Sequence, residues 1–163
     1  MVFTSRRIYA IITNQTKRKN TMDEILEYIV CVGILADDLH YRSSGDSFYA
    51  NHLLADTIKK PLDGFMDDLR EIYWLGELYA LPPQTDVTYQ NASMKAQSIR
   101  LRAASSDRNL GLSVKDALNV LIHSIENIKK EGALISGTVS VLDGICAHAQ
   151  KMCGLLDRML ASA

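Results

Sequence analysis

An all-α fold, with four long helices in an antiparallel bundle and one long crossover between the second and the third, is what the 163-residue sequence predicts. Three observations carry this. Apolar residues recur at three- and four-residue steps through four separate stretches, no stretch alternates with a period of two, and Gly, Pro or Ser clusters punctuate the stretches. Hydrophobic residues are 47% and charged residues 23% of the chain, an ordinary globular balance that excludes a disordered or collagen-like protein. A single domain of this size buries about two-thirds of its unfolded surface.

The first long helix is expected to start at Thr21-Met22-Asp23-Glu24, a capping-box arrangement. Ile25, Leu26, Ile29, Val30, Val32, Leu35, Ala36 and Leu39 supply its apolar stripe, and it should run to about residues 40 to 42. Residues 1–20 ahead of it hold Arg6, Arg7, Lys17, Arg18 and Lys19 and no acid, so a basic tail precedes a body of net charge −6. The expected organisation is therefore a tail, 1–20, and a bundle domain, 21–163, with Met22 placed like an alternative start of the core domain.

After the turn-like Ser43-Ser44-Gly45-Asp46-Ser47, a second helical pattern runs from about Phe48 to Tyr79 and is stopped by Pro82-Pro83. Pro61 lies inside it, where it removes a backbone hydrogen bond and bends or breaks the rod. Residues 84–112 read as the crossover, with a short helix over Ala92–Ala104. The third long helix is expected near Ser113, capped by that hydroxyl with Asp116 three residues on, and to end at Gly132. The fourth opens at Ser136-Gly137-Thr138, with Val141, Leu142, Ile145, Met152, Leu155, Leu156 and Met159 on its apolar face.

Cys31, Cys146 and Cys153 are odd in number and lack the close paired spacings of zinc ribbons or disulfide scaffolds, so a reducing, cytoplasmic setting is expected. The longest N-terminal apolar run, Ile8 to Ile12, is too short for a secretory segment or a membrane span. No serine sits in a hydrolase nucleophile motif.

The chemistry is carried by His40, His52, Asp56, Asp67 and Glu71. On one continuous helix, His52, Asp56, Asp67 and Glu71 fall at roughly 0°, 40°, 60° and 100°, a single polar stripe. At about 1.5 Å per residue, Asp56 and Asp67 stand about 16 Å apart, too far to share one ion within one chain. The pairs 52/71 and 56/67 are palindromic about Pro61 and Leu62. Two copies packed antiparallel about a two-fold axis there would bring His52 and Asp56 of one chain to Asp67 and Glu71 of the other. His40 can join from the first helix. Imidazole nitrogen with carboxylate oxygen suits Fe(II), and also Zn(II) or Mn(II).

The stretch from His40 to His52, His40-Tyr41-Arg42-Ser43-Ser44-Gly45-Asp46-Ser47-Phe48-Tyr49-Ala50-Asn51-His52, with Asp56, Asp67 and Glu71 at their spacings, resembles the ferroxidase motif of the Dps family of mini-ferritins. Gly45 and Phe48 also fall where that family has them. The resemblance implies a ferritin-like bundle assembled as a hollow dodecamer, a homo-oligomer of two-fold dimers. Such a shell oxidises Fe(II) with hydrogen peroxide or dioxygen and stores the ferric product, protecting against oxidative damage. It also implies that Asp67 and Glu71 of one subunit hold iron with His40 of its two-fold mate. His52 and Asp56 of that mate complete a second iron position. His40, Asp67 and Glu71 are then the catalytic set.

The match has departures. Tyr41 stands where many members have Trp, able to relay an electron or simply to pack. The turn Lys129-Lys130-Glu131-Gly132-Ala133-Leu134-Ile135 supplies one acid where members often place several at an iron-entry pore. The Glu-x-x-His motif of the larger ferritins is absent. His123 and Glu126 read as a solvated pair, and His148 as a surface or interface residue. Two rival readings stand beside the ferroxidase: a non-catalytic helical assembly protein with a structural metal, and DNA binding through the basic tail by release of phosphate counterions.

Overall fold

The computed structural model describes residues 3–100 and 106–162, and for residues 3–12, 14, 15 and 162 the backbone alone. Every element among the described residues is helical: α1 (Phe3–Arg42), a 3₁₀ turn (Gly45–Ser47), α2 (Phe48–Lys59), α3 (Leu62–Leu69) running into a π-helical segment (Arg70–Glu77), α4 (Thr85–Arg100), α5 (Asp107–Lys130) and α6 (Ser136–Ser162). Leu101 to Ala104 of the expected crossover helix lie outside the described residues. No helix among those described is long and apolar enough to cross a membrane.

The bundle is held by α1 packing on α5, α2 and α3, by α5 packing on α6, and by α6 packing on α3, while α4 lies across α1. This explains why α1 buries consecutive residues, Ile29 through Val32, rather than a single stripe. Met22, Ile25, Leu26, Ile29, Leu35 and Leu39 meet Leu118, Leu121, Ile125, Leu142, Ile145 and Met152 in the main core, and Ala92, Ala96 and Ile99 of α4 join it. Small alanines on α4 let two helix backbones approach closely.

Three boundaries differ from expectation. First, α1 begins at Phe3, so Thr21 is interior and its hydroxyl donates to the Lys17 carbonyl at 3.1 Å instead of capping. Residues 1–20 contain no Gly or Pro, and extending an existing helix is far easier than nucleating a new one. Lys17 is also tied to Glu131, beyond the end of α5, at 2.7 Å. Second, α5 starts at Asp107, capped by Ser106, whose side chain accepts from the Asn109 amide at 3.3 Å. Ser113 is buried within it and donates to the Asn109 carbonyl at 2.9 Å. Gly111 does not break this helix because it is where the Met159 and Leu160 side chains of α6 press in.

Third, the second long helix breaks at Lys60 and Pro61 as expected, but its far end differs in being π-helical. Proline has no N–H to continue the ladder, and the helix resumes through Phe65 N–H to the Pro61 carbonyl at 3.1 Å. In the π segment Leu78 N–H reaches back five residues to the Tyr73 carbonyl at 2.9 Å. A wider turn advances fewer degrees per residue, so the adjacent Tyr73 and Trp74 both face the interior, packed edge to face at 5.0 Å.

Candidate metal centre

His40 sits in the last turn of α1, and His52 and Asp56 are four residues apart on α2, hence on one face of it. What aims these helices at each other is the turn between them. Gly45 adopts φ +70, a left-handed conformation that suits glycine and reverses the chain. Asp107, at the first turn of α5, then pins the turn. Its carboxylate accepts from the Ser44 amide at 3.1 Å, from the Ser47 hydroxyl at 3.2 Å and from the Asn51 side chain at 3.5 Å. Ser43, buried, closes the end of α1 by donating to the Leu39 carbonyl at 2.6 Å. Nothing in the sequence pattern marked Asp107 for this role beyond a helix-start Ser-Asp pair.

The result is a compact donor set. His40 Nδ1 lies 2.9 Å from Asp56 Oδ1, the His40 and His52 rings stand 3.5 Å apart between centroids, and one ligand atom from each of the three residues falls within 4.8 Å of the others. When Nδ1–H of His40 donates to Asp56, its Nε2 keeps a free lone pair. Among the described residues His52 Nδ1 is buried without a hydrogen-bond partner, which costs about 1–3 kcal/mol unless something else satisfies it. A metal ion would. Two imidazoles and one carboxylate are a borderline-soft N₂O set that fits Fe(II), Zn(II) or Mn(II) and leaves coordination positions open on the exposed Asp56 side.

Asp67 and Glu71 are exposed and belong to no three-residue ligand group among the described residues. Asp67 is on α3 and Glu71 opens the π segment. With the break at Pro61 and the π turns after it, the continuous polar stripe does not exist as drawn on an unbroken helix. The separation of His52 and Asp56 from Asp67 and Glu71 does.

The centre adjoins exposed apolar side chains. Tyr41 (75% exposed, its ring 4.3 Å from that of His40), Phe48, Tyr49 (70%) and Leu53 all reach solvent around it. The Phe48 ring also lies tilted against the His52 ring, 5.6 Å between centroids.

His148 is half-buried, with Nε2 3.0 Å from the Ile58 carbonyl and its ring packed against that of Phe65. His123 and Glu126 are exposed on α5, as a solvated pair should be. Glu131, the single acid of the turn after α5, is engaged by Lys17. The three cysteines are free thiols, and burial pushes Cys31 up to about 11, far from the low values of reactive cysteines. Compared with known proteins, the chain matches no protein-family model and no curated protein.

Proposed function

We propose that this chain is a Dps-type mini-ferritin subunit that oxidises Fe(II), taken as substrate, at sites built between two copies. The supporting observation is the convergence of His40, His52 and Asp56 into a half-site, with Asp67 and Glu71 exposed elsewhere on the same chain. A second copy that covers Tyr41, Phe48, Tyr49 and Leu53 would remove four exposed apolar side chains from water and supply the missing carboxylates. In the completed site, carboxylate oxygens favour Fe(III) over Fe(II). Two Fe(II) each give one electron to one hydrogen peroxide, whose O–O bond breaks to leave two hydroxides or, with protons, two waters. The shell is a dodecamer built from six such dimers and holds the ferric product. Zn(II) or Mn(II) compete for the same donors.

The basic segment is the N-terminal part of α1, and Lys17 within it is engaged by Glu131, so a DNA role is not the reading put forward. The structural-metal rival shares the half-site and differs in turnover. The experiment mixes His40→Ala and Glu71→Ala subunits, unfolded and reassembled together, with mixed assembly confirmed by mass. If each site draws His40 from one chain and Glu71 from its mate, a mixed dimer gathers both defects in one site and leaves the other whole. The initial Fe(II) oxidation rate then recovers above that of either variant alone. No recovery in a confirmed mixture overturns the inter-subunit site, and an unaltered rate in Asp67→Asn with Glu71→Gln overturns the carboxylate assignment.

A further inference from the structure

α2 and α3 meet at Lys60 and Pro61, and the angle between them sets where His52 and Asp56 stand relative to Asp67 and Glu71. The backbone bonds at the break, Lys60 N–H to the Asp56 carbonyl and Phe65 N–H to the Pro61 carbonyl, each stay on one side of it. Ile58 is buried in the last turn of α2, where carbonyls run out of partners within their own helix. Its carbonyl is reached from across the core. His148 Nε2 of α6 lies 3.0 Å away, close enough to donate when that nitrogen carries the ring proton. The same imidazole packs against the Phe65 ring of α3, 5.7 Å between centroids. One side chain of α6 thus touches the helices on both sides of the break.

The contact is placed symmetrically. Ile58 and Phe65 flank Pro61 and Leu62 at equal separations in sequence, inside the pairs Asp56/Asp67 and His52/Glu71 that flank the same point. Ile58, Phe65 and Ile72 meet residues 148, 144 and 137 of α6 in antiparallel order: a Cβ on Gly144 would touch Phe65 at 3.7 Å, and one on Gly137 would meet Ile72 at 3.3 Å. Positions 137, 144 and 148 share one face of α6, and His148 adds to that seam a hydrogen bond, which has a direction that apolar packing lacks. We propose that His148 is a positioning residue: by bridging Ile58 and Phe65 it fixes the angle between α2 and α3, and so the spacing at which one chain offers its two half-sites to a second copy. The inference rests on the inter-subunit reading of the site. His148 is no member of the donor group formed by His40, His52 and Asp56, so its effect on the chemistry runs through helix placement. Without it the buried Ile58 carbonyl needs another donor, and the break relaxes toward one; a displacement of about 1 Å at a reacting group is enough to slow a reaction by about 100-fold.

Cobalt(II) takes the same nitrogen and oxygen donors as Fe(II), and its visible absorption changes with the number and kind of its ligands. In the assembled full-length protein Glu71→Ala removes a carboxylate supplied across the interface and should alter both the Co(II) spectrum and the initial rate of Fe(II) oxidation. His148→Leu should shift the spectrum in the same way while still binding Co(II) through His40, His52 and Asp56, and should slow oxidation by about tenfold or more. His148→Gln, whose side-chain N–H can still reach the Ile58 carbonyl, should restore the spectrum and most of the rate. Circular dichroism and assembly mass establish that each variant is folded, and His148→Ser, polar but too short to reach Ile58, stands in if the leucine variant does not assemble. An unaltered spectrum and rate in the folded His148→Leu or His148→Ser protein, where Glu71→Ala changes both, overturns the positioning role alone, as does a loss that His148→Gln fails to rescue. If Glu71→Ala itself changes neither, the inter-subunit reading falls and this inference with it.

Discussion

His40 Nδ1 and Asp56 Oδ1 lie 2.9 Å apart, joining the last turn of α1 to the middle of α2 across a turn that Asp107 pins from α5. The pair sits beside the unpartnered Nδ1 of His52, so this corner of the bundle carries a cost that a metal would relieve.

That cost sets up opposite effects on stability and binding. His52→Leu should raise the stability of the metal-free protein by about 1 kcal/mol, because it removes a buried nitrogen with no partner; at this chain length that is a rise of about 2–4 °C in melting temperature. The same change, like Asp56→Asn, should weaken Zn(II) or Fe(II) binding by about 10- to 100-fold. Calorimetry with and without metal measures both, and a destabilised apo variant would mean that the imidazole is satisfied after all.

Asp107→Ala should cost about 1–2 kcal/mol, since it leaves the Ser44 amide, the Ser47 hydroxyl and Asn51 without their acceptor. Because the turn orients α2 against α1, metal affinity should fall too, although Asp107 is no ligand. Urea unfolding and metal titration of the one variant check the pair of effects. A stability loss with affinity intact would show that the helices hold their angle without the turn.

Alkaline pH should destabilise the fold in a definite window. The Cys31 thiol moves from 9.0 to about 11 and the Tyr73 hydroxyl from 10.0 to about 12, burial being the first cause in both. A group raised in the folded state contributes fully below its unfolded value and loses that contribution as pH climbs through its folded value. Stability should therefore hold to about pH 9 and then decline up to about pH 12. The urea midpoint followed against pH gives the profile, and Cys31→Val should flatten its lower part.

Ala133 adopts φ 63 just after Gly132 at φ 68. A left-handed alanine costs about 1 kcal/mol that glycine does not, and Ala133 is exposed with no packing to lose. Ala133→Gly should raise the melting temperature by about 2 °C. A fall would mean that the added freedom of the unfolded chain outweighs the relief.

Periodicity by itself determined the parts of the fold whose physics is local. The stripes on α5 and α6, the break at Pro61 and the stop at Gly132 each follow from side-chain spacing or from one residue's backbone limits, and all stand in the structure. The separation of His52 and Asp56 from Asp67 and Glu71 was legible too, because helical rise carries the two pairs apart along successive helices. Tertiary contacts decided the rest. Thr21-Met22-Asp23-Glu24 has the letters of a helix start, but a helix already running from Phe3 and tied to Glu131 through Lys17 has no orphan amides there to cap. Ser113 lost the start of α5 to Ser106 because residues 107–112 pack as helix against the end of α6. The anchoring by Asp107 joins residues more than fifty positions apart, and no local spacing encodes which distant helix face a side chain will meet.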